Sequence, residues 1–153
     1  MVLASLVTNL QEQNMKFSTK ISSDFCYVSE DVFNLVKNTQ GEYFKNIQGL
    51  TPIEFAMDTL NPIRATEAAK ILKRYTTIEK MKVLEIGSGC GVTHVCWTKL
   101  FNINGFAIEP EGEGFSNSAL VARKLIEENG LDPNKVINAR GEELPFEDNM
   151  FDI

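Results

Sequence analysis

Two carboxylates and three alternating glycines carry the chemistry legible in this chain. Glu85 stands two residues ahead of Gly87-Ser88-Gly89-Cys90-Gly91, and Glu109 follows Gly89 by 20 residues. Glycines without Cβ let the backbone take positive φ and approach a ligand closely. An acidic residue about 20 positions beyond such a loop can accept both hydroxyls of a ribose. A dinucleotide fingerprint would need its third glycine where Val92 stands, and valine fills the space that glycine leaves for close packing. A pyrophosphate beside Glu85 would meet like charge. A cation there would gain up to about 4 kcal/mol at about 4 Å, before desolvation is subtracted. The set therefore suits a nucleoside carrying positive charge better than it suits the cofactor of an NAD-dependent oxidoreductase.

Other reactive side chains read more plainly. Cys90, His94 and Cys96 fit no common zinc spacing and lack a nearby fourth ligand, so no metal is expected. The cysteines read as small packing residues, and His94 as a helix-surface residue or, less simply, a base bordering the ligand. Trp97 reads as packing on the same helix. Glu142 and Glu143 are adjacent and seldom converge on one substrate, and Asp148-Asn149 reads as a turn. No catalytic base is assigned.

The glycines need a strand before them and a helix after them. Val83–Ile86 supplies the first, and Val92–Leu100 the second. Ile103–Ile108 reads as the next strand, with Glu109-Pro110 at its end. Phe115, Ala119, Ala122 and Ile126 mark a helix closed by Asn129-Gly130. Val136–Ala139 is a short third strand, and Phe151-Asp152-Ile153 a fourth just beginning. Upstream, Leu3, Leu6, Val7 and Leu10 show helical spacing. Ser29 caps a helix expected to end near Asn38–Gly41, and Phe17–Tyr27 reads as loop or short strand. Thr51-Pro52-Ile53-Glu54 is a capping box with proline at the first helical position, and Asn61-Pro62 stops that helix and starts another. This divides the chain into a mostly helical region, 1–61, and an α/β region, 62–153. Phe55, Met57 and Tyr75 could line a lid over the ligand.

With 153 residues and 43% hydrophobic content the chain suffices for one modest core. It has no apolar run long enough for a membrane span, and no basic stretch precedes the short apolar amino terminus, so a signal peptide is not expected. Three cysteines are too few for a disulfide framework and suit a cytoplasmic location. From Glu109 onward there are eleven acidic and four basic side chains, a charge of −7, against +1 for residues 1–108, which together give the net −6. So acidic a third repels phosphate backbones, and no nucleic-acid partner is expected. Lys70, Lys73, Arg74, Lys80 and Lys82 read as a solvated helix face.

Val83-Leu84-Glu85-Ile86-Gly87-Ser88-Gly89-Cys90-Gly91 resembles the first motif of class I S-adenosylmethionine-dependent methyltransferases. Phe106-Ala107-Ile108-Glu109-Pro110 is similar to their second, and Gly141 through Asp152 resembles the run from the third strand into the fourth. The Leu144-Pro145-Phe146 form is frequent in their quinone and sterol methyltransferase branch. The resemblance covers 62–153 and implies a Rossmann-like α/β fold with S-adenosyl-L-methionine as methyl donor and a small-molecule acceptor. It implies that Glu85 and the backbone of Gly87, Ser88, Gly89 and Gly91 hold the methionine part, that Glu109-Pro110 takes the ribose, and that Arg140-Gly141-Glu142 flanks the adenine. Many relatives carry an aspartate where Arg140 stands, and arginine has only donors. Full members have seven strands in the order 3-2-1-4-5-7-6, so the chain reads as an amino-terminal fragment, truncated near the fourth strand. The missing half of the sheet or a completing partner would finish it. The alternative from another class is a non-catalytic interaction module on a truncated version of the fold.

Overall fold

A computed structural model describes residues 23–112 and 117–153. The expected helix at Leu3–Leu10 and the position of Phe115 lie outside the described residues. Helix α1, Glu30–Val36, opens at Ser29, whose hydroxyl accepts from the Val32 amide at 3.1 Å. It does not end near Gly41 as expected. The chain widens into a π turn over Lys37–Gly41 and continues as α2, Glu42–Gln48, which stops at left-handed Gly49 (φ 68°). Gly41 is thus a packing glycine. A methyl there would lie 2.8 Å from the Pro52 carbonyl oxygen and 2.9 Å from its Cα, so the π turn can rest on the next helix only without a side chain.

That next helix is α3, Pro52–Thr59, and its capping box is complete. The Glu54 amide donates to Thr51 Oγ1 at 3.2 Å, and Glu54 Oε2 accepts from the Thr51 amide at 2.8 Å. Asn61 caps α4, Pro62–Leu72, by accepting from the Ile63 amide. After these helices come β1 (Lys82–Ile86), α5 (Val92–Phe101), β2 (Asn104–Ile108), α6 (Ser118–Glu128) and β3 (Val136–Ile137). The three strands form a parallel sheet in the order β1-β2-β3, with Lys82 opposite Asn104 and Ala107 opposite Val136. Phe151–Ile153 is not a regular strand, yet it lies against the free edge of β1. The Asp152 amide donates to the Lys82 carbonyl at 2.8 Å and the Leu84 amide to the Ile153 carbonyl at 2.9 Å. The partner numbers climb together, so this segment runs parallel to β1.

Strand periodicity decides what each face meets. Val83 and Glu85 of β1 share a face with Gly105 and Ala107 of β2, and α5 covers it. Gly105 admits the His94 ring, which a methyl would meet at 2.9 Å. Val32 and Val36 of α1, Phe55 and Ala56 of α3, Val95 of α5, Ala107 of β2 and Leu125 of α6 belong to one buried cluster. The helical region before residue 62 therefore packs into the same core as the sheet. On the other face Phe106, Phe146 and Phe151 meet edge to face, with ring centroids 4.9–5.9 Å apart. Among the described residues no helix is long and apolar enough to cross a membrane.

Candidate donor-binding site

The sequence between β1 and α5 folds as a tight glycine turn. Gly87, Gly89 and Gly91 all take positive φ, at 73°, 53° and 79°. A methyl on Gly91 would sit 3.1 Å from the Ala122 side chain, so this glycine brings the loop against α6. The turn is held from within. The Gly87 and Ser88 amides both donate to the Ile108 carbonyl, at 2.9 and 3.1 Å, and the Gly91 amide donates to the Ser88 carbonyl at 2.9 Å. The Gly89 amide donates to Glu109 Oε2 at 2.7 Å. Four amides of this five-residue loop are thereby committed inside the protein. Phosphate cradles work by pointing such amides at the anion. This loop has little donor capacity left for a pyrophosphate.

Glu109 closes the site at the end of β2. It is 3% exposed, and its own amide donates to the Ile137 carbonyl at 3.1 Å. Burial pushes its carboxyl above the usual range, while hydrogen bonds from the Gly89 amide and the Ser118 hydroxyl pull it back. A cavity of about 390 Å³ opens here, bounded by Gly87, Gly89, Cys90, Glu109, Pro110 and Ser118 on the α/β side. Gln40, Phe44, Phe55 and Thr59 complete it from the helical region. The volume lies within the range of about 300–1,000 Å³ common for small-molecule sites. Phe55 stacks on Phe44 at 5.0 Å and gives the cavity an aromatic wall. Of the other two lid candidates, Met57 packs against the core and Tyr75 is 82% exposed, and neither lines this cavity.

Glu85 is placed differently. It lines a second cavity, of about 320 Å³, with Val83, Thr93, His94, Trp97 and Leu72 beneath α5. Its Oε2 is buried and has no hydrogen-bond partner, and burial pushes its carboxyl up to about 7. The Thr93 hydroxyl donates to it, and the charge of Glu109 adds to the upward push. His94 is buried, not a helix-surface residue as expected, because Gly105 leaves room for its ring. Burial and the charge of Lys135 lower it to about 4, so it is neutral at neutral pH. Trp97 packs as expected and donates its ring N–H to the Ala65 carbonyl at 2.9 Å.

The remaining expected contacts spread around the loop. Ser88 is buried with a hydroxyl that has no protein partner. Gly141 lies at the carboxyl end of β1, where a methyl would touch Ile86 Cγ2 at 3.2 Å. Arg140 and Glu142 beside it are exposed. Cys90 and Cys96 are buried free thiols, and among the described residues no cluster of histidine, cysteine and carboxylate could hold a metal.

Gln40, Thr59 and Ser118 are cavity residues that sequence reasoning did not single out. Gln40 had a readable signal. It continues the stripe Val32, Val36, Gln40 at i, i+4, i+8, which places a polar side chain on a buried helical face.

The pinned Glu109 carboxylate, the loop amides already committed inside the protein and the apolar wall at Phe55 form a set that fits a nucleoside cation. Comparison with known proteins agrees. Residues 3–142 match the family model described as protein-L-isoaspartate(D-aspartate) O-methyltransferase. This family uses S-adenosyl-L-methionine as methyl donor. No curated protein matches the chain. The family acts on isoaspartyl residues of proteins, which overturns the small-molecule acceptor expected above and gives no support to the quinone and sterol branch. The physical reason is visible at Leu144-Pro145-Phe146. Phe146 is committed to packing on Phe106 and Phe151, so this motif marks how the sheet is covered and says nothing of the acceptor.

Proposed function

Because the chain belongs to the protein-L-isoaspartate(D-aspartate) O-methyltransferase family, and so to the class I S-adenosylmethionine-dependent methyltransferases, we propose that it methylates isoaspartyl carboxyl groups of proteins, with the donor seated in the glycine-loop cavity. The observation that carries this reading is the carboxylate of Glu109, fixed by the Gly89 amide at the mouth of a loop whose amides are already committed. When bound, S-adenosylmethionine supplies a methyl group on a sulfonium cation. Glu109 accepts the ribose hydroxyls, and Pro110 forms the wall beside them. The loop from Gly87 to Gly91 offers carbonyl oxygens and the Ser88 hydroxyl to the amino-acid part, while Glu85 adds negative potential from beneath. Gly141 and Glu142 flank the base from the end of β1.

An isoaspartyl carboxyl has an ordinary pKa near 4 and is ionised at neutral pH, so it attacks without help from a general base. Neutral, buried His94 is not needed for proton transfer. The chain's contribution is to hold two reactants in line and keep water out. The free thiols Cys26, Cys90 and Cys96 suit a cytoplasmic setting for such an activity.

Calorimetric titration with S-adenosylmethionine, followed by transfer of labelled methyl to a synthetic isoaspartyl peptide, tests both halves. Binding is expected, with label on the isoaspartyl peptide and none on its aspartyl counterpart. Absence of donor binding sinks the reading. Donor binding without label on the isoaspartyl peptide keeps the donor site and removes the acceptor.

A further inference from the structure

Gln40 is a buried polar side chain, 6% exposed, in a segment with no motif. Its amide nitrogen donates to Ser118 Oγ at 3.0 Å, and its amide oxygen accepts from the Cys90 thiol at 3.5 Å. Ser118 lines the same cavity as Glu109, where its hydroxyl helps to lower the Glu109 carboxyl, and Glu109 accepts from Gly89, the residue before Cys90. These contacts bring together four separate parts of the chain: the π turn, the glycine loop, the end of β2 and the first turn of α6. Burial holds the Cys90 thiol protonated, at about 12, so it remains a donor.

The π turn puts Gln40 there. Wide turns within helices re-aim one side chain and recur at functional sites. Here the turn can bulge toward the cavity because Gly41 rests directly on Pro52. We propose that Gln40 is a positioning residue for donor binding. Through Ser118 and Cys90 it fixes the Glu109 carboxylate and the glycine loop, and so makes the helical region part of the donor site. This role rests on the donor site described above and adds to it a residue that acts through its neighbours from the helical region. With Gln40 in place the Ser118 hydroxyl, already accepting from the amide, directs its own proton to Glu109. Without it, that hydroxyl is free to rotate and Glu109 loses a donor.

Gln40→Met keeps the length and bulk of the side chain and removes both hydrogen bonds. In the full chain it is expected to weaken S-adenosylmethionine binding about tenfold by calorimetry. It should also raise the Glu109 carboxyl pKa, read by carbon NMR without donor. Among the described residues the titratable neighbours facing Glu109 are Glu85 from β1 and Cys90 from the loop, and the substitution leaves both in place. A residue that only fills space would move neither readout. Ser118→Ala is expected to give a similar loss, and the double variant no more than Ser118→Ala alone. Wild-type affinity in Gln40→Met together with an unmoved Glu109 titration overturns the role, and so do two losses that simply add. If the wild-type chain binds no S-adenosylmethionine, the function proposed above fails. The Glu109 titration then still decides whether Gln40 acts on Glu109.

Discussion

Two cavities each hold a glutamate, one lined by the glycine loop and one beneath α5, and the two glutamates are prepared differently. Burial raises Glu109, and the Gly89 amide and the Ser118 hydroxyl counter only part of that push. Glu85 has the Thr93 hydroxyl on one side and nothing on Oε2, and it is left to titrate at about 7. Burial alone therefore does not make a binding carboxylate. The donors around it set how far burial raises its carboxyl.

The largest effect that would break this contrast concerns the second cavity. Glu85 ionises near 4.5 when unfolded and at about 7 when folded. Between those values the folded state holds a proton that the unfolded state has lost. Its contribution is thus fully favourable below pH 4.5 and falls away as the pH rises to about 7, by about 3 kcal/mol. His94 moves the other way, from 6.5 to about 4, so its contribution is present above pH 6.5 and is lost toward pH 4 by a similar amount. The slopes oppose each other between pH 4.5 and 6.5. Denaturant titrations are expected to show Glu85→Gln gaining stability as the pH rises through that window and His94→Phe losing it. A His94→Phe variant with no pH slope, in which only the Glu85 contribution is left, would end the distinction between the two glutamates.

Next in size, Glu109→Ala should weaken S-adenosylmethionine binding about thirtyfold, because it removes a charged acceptor already fixed in place. Unchanged affinity would take Glu109 out of the site. The smallest effect sharpens where the site ends. Glu142 is exposed and does not line the cavity, and Glu142→Gln should change donor affinity less than about twofold. A tenfold loss would bring the 140–143 loop into the first rank of contacts.

Features written in consecutive residues were legible in the sequence. The capping box at Thr51-Pro52-Ile53-Glu54, the Asn61-Pro62 start and the strand, glycine turn and helix from Val83 onward form as their residue types direct. What escaped depends on distant partners. Gly41 reads as a helix stop, but its neighbour Pro52, eleven residues on, makes it a packing glycine. His94 reads as a surface residue until Gly105 opens space for it. Glu85 reads as facing the loop, yet strand alternation puts it with Val83 beneath α5. Phe151 to Ile153 reads as an incipient strand, and its hydrogen bonds to β1 follow that order although no regular strand forms.

β1 has two neighbours that arrive at different times. β2 pairs with it across 22 residues, from Lys82 to Asn104 (104 − 82), whereas Asp152 reaches it across 70. Loop closure makes the longer pairing costlier by about 1 kcal/mol. On a ribosome it must also wait until some fifty further residues have been made. The order of synthesis and the order of cost agree, so β1 and β2 can zip first and draw Glu109 to Gly89 while the other edge is bare. The pairing that brings Glu109 to Gly89 can thus form first, with Phe151–Ile153 adding afterwards along the other edge of β1.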